Sequence, residues 1–99
     1  MNTQGFIFEW DSAKERINIS KHGIDFKVAS QVFLDNMRIE RFDKLHSDDE
    51  ERFRTIGIAQ DLLYVLSVVY TSKDNVIRII SARFANRKEI EEYNEYRIL

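Results

Sequence analysis

The sequence predicts a single small domain of the α+β class, in which an antiparallel sheet is flanked by helices. The second half of the chain alternates apolar, β-branched runs with short polar turns, a pattern typical of a β-meander. Capped helical segments precede and follow these runs. Because the chain has 99 residues and 43% hydrophobic content, we expect one domain over residues 1–99.

The first predicted elements are a short strand and two helices. Residues 6–10 are rich in aromatic side chains, which favours a strand. Asp11 and Asp25 are each suited to N-cap a helix, and Gly23 is suited to end the first helix in a left-handed conformation. The two helices are expected to form a helical hairpin.

Four further strands and a third helix complete the predicted order β-α-α-β-β-β-β-α. Asn86 and Glu89 form a capping-box pattern at the start of the last helix, which is expected to pack Ile90 and Tyr93. Residues 44–51 are polar and acidic, which predicts an exposed loop. We expect the helices to lie largely on one face of the sheet. The four strands are predicted at residues 37–42, 52–58, 62–70 and 76–85.

Composition excludes several classes of function. The chain has no cysteine, so it has no disulfide, no Cys-ligated zinc and no thiol nucleophile. His22 and His46 lie far apart and do not form a recognisable metal-site pattern. No segment reaches the ~18 apolar residues of a membrane span and no signal segment is evident, so we expect a cytoplasmic protein. The net charge of −2 argues against a general polyanion-binding surface and still permits a small basic site.

Positive charge is concentrated where the last strand meets the last helix. Arg78 and Arg83 interrupt an apolar strand, in which an arginine is costly to bury unless it meets an anion. Arg87 and Lys88 follow in the first helical turn, where the helix macrodipole disfavours positive charge. We therefore expect an anion to bind at this junction.

Arg78 and Arg83 can line one cleft only if their side chains point to the same face of the sheet. In a regular strand, Arg78 and Arg83 point to opposite faces, unless a bulge intervenes or one side chain reaches around the strand end. A structural ion pair is the alternative role for either arginine. The carboxylates considered as partners are Glu9, Glu50 and Glu51.

The other polar residues suit phosphodiester chemistry without a metal or a cofactor. Arg52 and Arg54 share one face of a predicted strand and are suited to bind phosphate, although a solvated strand edge has the same pattern. His22, a lysine or a glutamate can transfer protons, although His22 is equally suited to cap its helix. RNA supplies its own nucleophile, the 2′-hydroxyl group. The chain has no P-loop, no dinucleotide fingerprint and no serine-nucleophile motif.

Several blocks of sequence resemble the BrnT toxin family in order and spacing, over nearly the whole chain. They are Phe8-Glu9-Trp10-Asp11, Lys21-His22-Gly23-Ile24-Asp25-Phe26, Glu50-Glu51-Arg52-Phe53 with Ile56-Gly57, and Arg78-Ile79-Ile80-Ser81-Ala82-Arg83 with Arg87, Glu89 and Tyr93. The chain departs from the family at Asp48 and Asp49, where the family has a Tyr-Gly pair. Added carboxylates at this loop are expected to weaken RNA binding.

The resemblance implies a RelE-like fold and a toxin of a type II toxin–antitoxin system that cleaves RNA without a metal or cofactor. It also implies a BrnA-type ribbon-helix-helix antitoxin, a 2:2 complex, and repression of the operon through the antitoxin's contact with operator DNA. Together with the cation pattern, it predicts catalytic roles for Lys21, His22, Glu51, Arg52 and Arg83. The residues predicted to bind RNA are Glu50, Arg54, Arg78, Arg87 and Lys88.

Two other functions compete with this interpretation. A catalytically weak or inactive toxin-like module would act as antitoxin partner and co-repressor, and the acidic net charge and the Asp48-Asp49 departure favour it. Direct DNA binding by this chain is disfavoured, because the last helix carries carboxylates that repel phosphate. These carboxylates are Glu89, Glu91, Glu92 and Glu95.

Overall fold

The computed structural model describes residues 5–47 and 49–98, so Asp48 of the predicted acidic loop lies outside the described residues. Two single 3-10 turns cover Gln31–Leu34 and Lys44–His46. The predicted α+β class and the predicted order of elements are confirmed. The strands are β1 (Ile7–Trp10), β2 (Ile39–Phe42), β3 (Phe53–Ala59), β4 (Tyr64–Lys73) and β5 (Val76–Phe84), and the helices are α1 (Ser12–His22), α2 (Phe26–Ser30) and α3 (Arg87–Ile98).

The five strands form one mixed sheet in the order β1-β5-β4-β3-β2. Strands β2 to β5 pair antiparallel, as predicted. The turn between β4 and β5 has positive φ at both Asp74 and Asn75, at 53° and 66°, as a tight two-residue hairpin requires. Strand β1 instead runs parallel to β5, with Ile7 opposite Val76. Parallel strands need a long crossover connection, and the elements between β1 and β5 provide it.

Short-range signals determine where the first two helices begin and end. Asp11 accepts hydrogen bonds from two amides of the first turn of α1 at 2.8 and 3.0 Å, and these bonds lower the pKa of its carboxyl group. Asp25 accepts one from the Val28 amide at 2.8 Å at the start of α2. Gly23 ends α1 in the left-handed conformation, with φ of 72°. The three predicted caps are confirmed.

Helices α1 and α2 cover one face of the sheet, which we call the core face. Phe26 of α2 and Val32 of the following turn are fully buried, in the same apolar cluster as Val68 of β4. The ring of Phe33 packs edge-on against Tyr70, with ring centroids 4.9 Å apart. This layer contains most of the buried apolar side chains of the described residues.

Helix α3 lies against the opposite face, which we call the α3 face. Ser67 and Arg83, whose side chains alternate with the buried Val68 and Ala82, both contact Glu89 of α3. The helices therefore lie on both sides of the sheet, and the expectation that they would lie largely on one face holds for α1 and α2 alone.

The packing side of α3 is set by Tyr93 and Glu89, four residues apart. Tyr93 is buried, as predicted, and its hydroxyl donates a hydrogen bond to the Asp35 carboxylate. Ile90 is 39% exposed, so its predicted packing is wrong. Because Ile90 follows Glu89, it is rotated by about 100° around the helix axis, away from the sheet.

Asn18 of α1 takes the place of a strand beside the second half of β5. Strand β1 pairs only with Val76 to Ile79, which leaves the backbone of Ala82 without a neighbouring strand on that side. The Asn18 amide accepts from Ala82 N–H at 3.0 Å and donates to the Ala82 carbonyl at 2.9 Å. It also donates to the Ile24 carbonyl at 2.9 Å. Helix α1 is thereby held along the edge of β5.

We expect Asn18→Ala to lower the free energy of unfolding by about 2–5 kcal/mol, because it leaves buried backbone groups of Ala82 without a partner. Urea denaturation measures the loss. Asn94→Ala, at an exposed position of α3, is the matched control and should change stability by less than about 0.5 kcal/mol. Equal losses in the two variants would contradict the role assigned to Asn18.

Candidate functional site

A bulge in β5 places Arg78 and Arg83 on the same face of the sheet. The register between β4 and β5 shifts in the middle of β5, so that Arg78 lies opposite Thr71 and Arg83 lies opposite Ser67. Thr71 and Ser67 have the same strand parity, so both arginines point to the α3 face, roughly 13 Å apart along the strand. The opposite-face arrangement expected for a regular strand is wrong here because the bulge inserts one residue between them.

Arg83 forms a two-pronged ion pair with Glu89. Its Nη1 lies 2.8 Å from Glu89 Oε1, and its Nη2 lies 3.1 Å from Oε2. The hydroxyl of Ser67 donates to the same carboxylate at 3.4 Å, and Arg54 donates to the Ser67 hydroxyl. These four side chains form the arginine cluster of the α3 face. Arg83 thus pairs with none of the carboxylates considered as its partners from the sequence.

The helix start orients the carboxylate of Glu89. Its amide donates to Asn86 Oδ1 and its Oε1 accepts from the Asn86 amide, both at 2.9 Å, which confirms the predicted capping box. Burial alone would raise the pKa of the Glu89 carboxyl group. The hydrogen bonds from Arg83 and Asn86 and the charges of Arg83 and Arg54 outweigh burial, so the pKa lies below its ordinary value. Glu89 is therefore ionised at neutral pH.

Two more arginines of the α3 face have acidic partners. Arg54 Nη2 lies 3.6 Å from Asp43 Oδ2. Burial lowers the pKa of Arg54, as does the nearby charge of Arg83, while Asp43 counteracts part of this shift. Arg41 lies opposite Arg54 in β2, and its Nη2 is 2.8 Å from Glu92 Oε2. Helix α3 thus supplies carboxylates to two arginines of the sheet.

An open cleft of about 610 Å³ lies at the other end of β5, on the same face. Arg78 lines it, with its Nη1 3.6 Å from Glu9 Oε1, which is one of the ion pairs considered from the sequence. Its ionisable lining consists of equal numbers of cations and carboxylates, so the cleft is nearly neutral overall. These residues are Lys14, Lys73, Arg78, Glu9, Glu50 and Asp74.

Lys21 and His22 lie in the last turn of α1, at the margin of the α3 face. They line a small depression of about 180 Å³ together with Ser81 of β5. Lys14 and Ile80 line both this depression and the larger cleft, so the two are adjacent. The anchoring of α1 along β5 therefore brings Lys21 and His22 close to the strand that carries Arg78 and Arg83.

Among residues 5–47 and 49–98, the remaining predicted site residues form no hydrogen bond or ion pair with the arginine cluster. Arg52 precedes β3; its amide donates to Ser47 Oγ at 2.8 Å, and its buried Nε has no hydrogen-bond partner among the described residues. Glu51 is exposed in the loop before it. Arg87 is 94% exposed and pairs with Glu91, and Lys88 is exposed beside it.

Sequence reasoning missed several members of the site. The sequence does not predict the pairing of Glu89 with Arg83, because a strand arginine and a helix glutamate six residues apart follow neither the strand nor the helix period. Ser67 lies in a nearly continuous apolar strand and gave no signal. The other missed residues are Lys14, Arg41, Asp43 and Glu92.

Two further properties follow from the described part of the chain. Residues 5–47 and 49–98 contain no group of three or more His, Asp or Glu side chains arranged to hold a metal ion. None of the helices described is both long and apolar enough to cross a membrane.

The fold and the site define a small α+β protein with arginines clustered on one sheet face, an arrangement suited to binding phosphate groups. A family model described as "Ribonuclease toxin, BrnT, of type II toxin-antitoxin system" matches residues 10–89. The chain belongs to the BrnT family. The family is one of ribonuclease toxins of type II toxin–antitoxin systems, which implies a protein antitoxin as partner. A search of curated proteins finds no match to the chain.

We expect Glu89→Gln to lower the free energy of unfolding at pH 7 by about 2 kcal/mol, because the amide cannot form the charged pair with Arg83. The lowered pKa of Glu89 determines how its contribution to the free energy of unfolding varies with pH. Its contribution is complete above the ordinary glutamate pKa of about 4.3 and is lost as the pH falls through the folded-state value. The difference between wild type and variant should therefore shrink below pH 4 in urea denaturation.

Glu91→Gln is the matched control for this prediction. It alters an exposed pair on the same helix, so its effect on stability should stay below about 0.5 kcal/mol. A difference between wild type and Glu89→Gln that is constant from pH 7 to pH 3 would contradict an ionised, Arg83-bound Glu89.

Proposed function

We propose that this chain is an endoribonuclease toxin that cleaves RNA without a metal ion on the α3 face and inhibits translation in the cytoplasm. The observation that carries the proposal is the presence of Arg54, Arg78 and Arg83 on one face, with Lys21 and His22 at its margin. Family membership supports RNA as the substrate class.

The proposed reaction uses the 2′-oxygen of RNA as nucleophile. This oxygen attacks the adjacent phosphorus, and the bond from phosphorus to the 5′-oxygen of the next nucleotide breaks. Arg83 and Arg52 stabilise the added negative charge, while Arg54 and Arg78 bind neighbouring phosphates. One group removes the 2′-hydroxyl proton and another protonates the leaving oxygen. The candidates for these two steps are Lys21, His22 and Glu51.

Arg83 retains capacity for a phosphate while it is bound to Glu89. The guanidinium has five N–H donors; Glu89 engages one on each Nη atom, and Nη1 also donates to the Phe84 carbonyl at 3.2 Å. The Arg83 side chain is 34% exposed. Glu89 therefore fixes the orientation of the guanidinium and leaves donors for a substrate oxygen.

The proposed partner is a BrnA-type ribbon-helix-helix antitoxin in a 2:2 complex. The toxin contributes to repression of the operon through this complex, and the antitoxin makes the contacts to operator DNA. The acidic net charge of the chain and the four glutamates of α3 support a toxin that does not bind DNA by itself.

A second candidate is a catalytically weak or inactive toxin-like module that binds the antitoxin and serves as co-repressor. It is favoured by the acidic partners of the arginines on the α3 face, since a phosphate must compete with each carboxylate. The pairs are Arg41–Glu92, Arg54–Asp43, Arg78–Glu9 and Arg83–Glu89.

Expression of the chain in a host without the antitoxin should arrest growth, and Arg83→Ala should relieve the arrest. Removal of Arg83 eliminates donors for the developing phosphorane, so RNA cleavage by purified protein in EDTA should fall about 10²–10³-fold. Arg16→Ala, which removes the same charge from an exposed position of α1, should remain toxic. Circular dichroism should show that both variants are folded.

Harmless expression of the wild type, together with intact RNA in the purified assay, would sink the nuclease proposal. If the same protein still formed a complex with its antitoxin, the co-repressor function would stand in its place. Cleavage that occurs only with added divalent cation would overturn the metal-independent mechanism.

Arg78→Ala should weaken binding of single-stranded RNA and reduce its salt dependence. Loss of one phosphate contact lowers the slope of log K against log salt concentration by about 0.7. Fluorescence anisotropy with a 2′-O-methyl RNA, which cannot be cleaved through its 2′-hydroxyl, measures this slope between 50 and 200 mM salt. An unchanged slope would show that Arg78 serves only its ion pair with Glu9.

A further inference from the structure

A separate aromatic groove lies on the core face, where β2, β3 and β4 meet near the edge of the sheet. Its volume is about 460 Å³, which is in the range of ligand-binding pockets. Phe42, Phe53 and Tyr70 line it in a continuous series, with ring centroids 5.9 Å apart for the first pair and 5.8 Å for the second. Phe42, the outermost ring, is 49% exposed. The Phe42 and Phe53 rings meet edge-on, with 71° between their planes, so Phe42 is the ring that is open to a planar ligand.

A carboxylate in a defined orientation lies beside these rings. Glu40 precedes Phe42 by two residues in β2, so the two side chains point to the same face. Its Oε1 accepts a hydrogen bond from the Tyr70 hydroxyl at 2.7 Å and lies 3.6 Å from Arg38 Nε. Burial and the bond to Glu40 raise the pKa of Tyr70, so the phenol remains a donor. An ionised carboxylate accepts about four hydrogen bonds, so Glu40 can also receive donors from a ligand.

We propose that this groove holds a guanine base of single-stranded RNA, stacked on Phe42 and hydrogen-bonded to Glu40. Proteins hold unpaired bases by stacking them on aromatic side chains and by hydrogen bonds to their Watson–Crick edges. Guanine presents two adjacent N–H donors on that edge, at N1 and N2, which match the two oxygens of a carboxylate. Adenine and cytosine present one donor beside an acceptor, and uracil presents one donor between acceptors.

The charges around the groove favour a nucleotide over a cationic side chain of a protein partner. Arg38 and Glu40 line the groove as an ion pair, while Arg41, which also borders it, directs its guanidinium to Glu92 on the α3 face. A lysine or arginine from a partner would have to compete with Arg38 for Glu40. A nucleotide can place its base against Glu40 and its phosphate toward the arginines.

The edge strand β2 connects this groove to the α3 face. Arg41 and Phe42 are adjacent in β2, so they point to opposite faces of the sheet. Arg41 lies opposite Arg54 on the α3 face, and β2 is the last strand of the sheet. RNA bound at Arg54 can pass around this edge and place a flanking base in the groove. The inference rests on the proposed function for its substrate and adds a preference for guanine next to the cleaved bond.

Titration of the purified protein with 5′-GMP and 5′-IMP, followed by NMR chemical shifts, tests the groove directly. IMP lacks the 2-amino group, so GMP should bind about tenfold more tightly. Glu40→Gln should remove this preference, because an amide cannot accept both donors. Phe42→Ala should weaken GMP binding about tenfold through the loss of stacking. Phe84→Ala is the matched control, since Phe84 has a similar exposed fraction, 47%, and lies outside the groove.

Cleavage assays, with RNA and with RNA in which inosine replaces guanine, are compared with the GMP and IMP titrations. Together they separate the guanine site from the proposed nuclease activity. If RNA is cleaved while GMP and IMP bind equally and Phe42→Ala changes nothing, the guanine site is wrong and the nuclease stands. If GMP binds with the expected preference and no RNA is cleaved, the guanine site stands and the nuclease fails. Shifts at the groove with arginine amide, and none with GMP, would overturn the inference in favour of a protein partner.

Discussion

The pairing of Arg83 with Glu89 is the contact on which the α3 face depends. One carboxylate forms the ion pair with the strand, receives the hydroxyl of Ser67 and closes the capping box that begins α3. The guanidinium of Arg54 reaches the same group through Ser67. The sheet, the last helix and the cations of the arginine cluster are therefore oriented by one buried acid. A change at Glu89 would alter all three at once.

This arrangement explains how an acidic chain can present a basic site. Arg54 and Arg83 are each held by a carboxylate, which offsets the cost of removing a cation from water. Arg54 and Arg83 lie close enough for their charges to oppose each other, as the lowered pKa of Arg54 indicates. Asp43 and Glu89 reduce that repulsion. The cations can therefore be concentrated on one face without a large net positive charge on the protein.

The sheet separates two kinds of surface with different chemistry. The α3 face offers arginines, with Lys21 and His22 at its margin, while the aromatic groove of the core face offers rings and the single acid Glu40. Each surface extends to an edge of the sheet, at β5 for the α3 face and at β2 for both surfaces. Asn18 holds α1 along β5 and brings Lys21 to the margin of the α3 face, and β2 carries residues of both surfaces on alternate positions. The proposed phosphate binding and the proposed base stacking thus use opposite faces of one small sheet.

The sequence by itself determined the elements, their order and the helix caps, because the hydrophobic period, the capping hydrogen bonds and the turn residues act within a few positions. Asp11, Gly23 and Asn86 are examples. Tertiary structure decided the parallel pairing of β1, the bulge that brings Arg78 and Arg83 to one face, and the partner of each arginine. Strand register and strand–helix contacts join residues with no fixed spacing along the chain, so no local pattern encodes them.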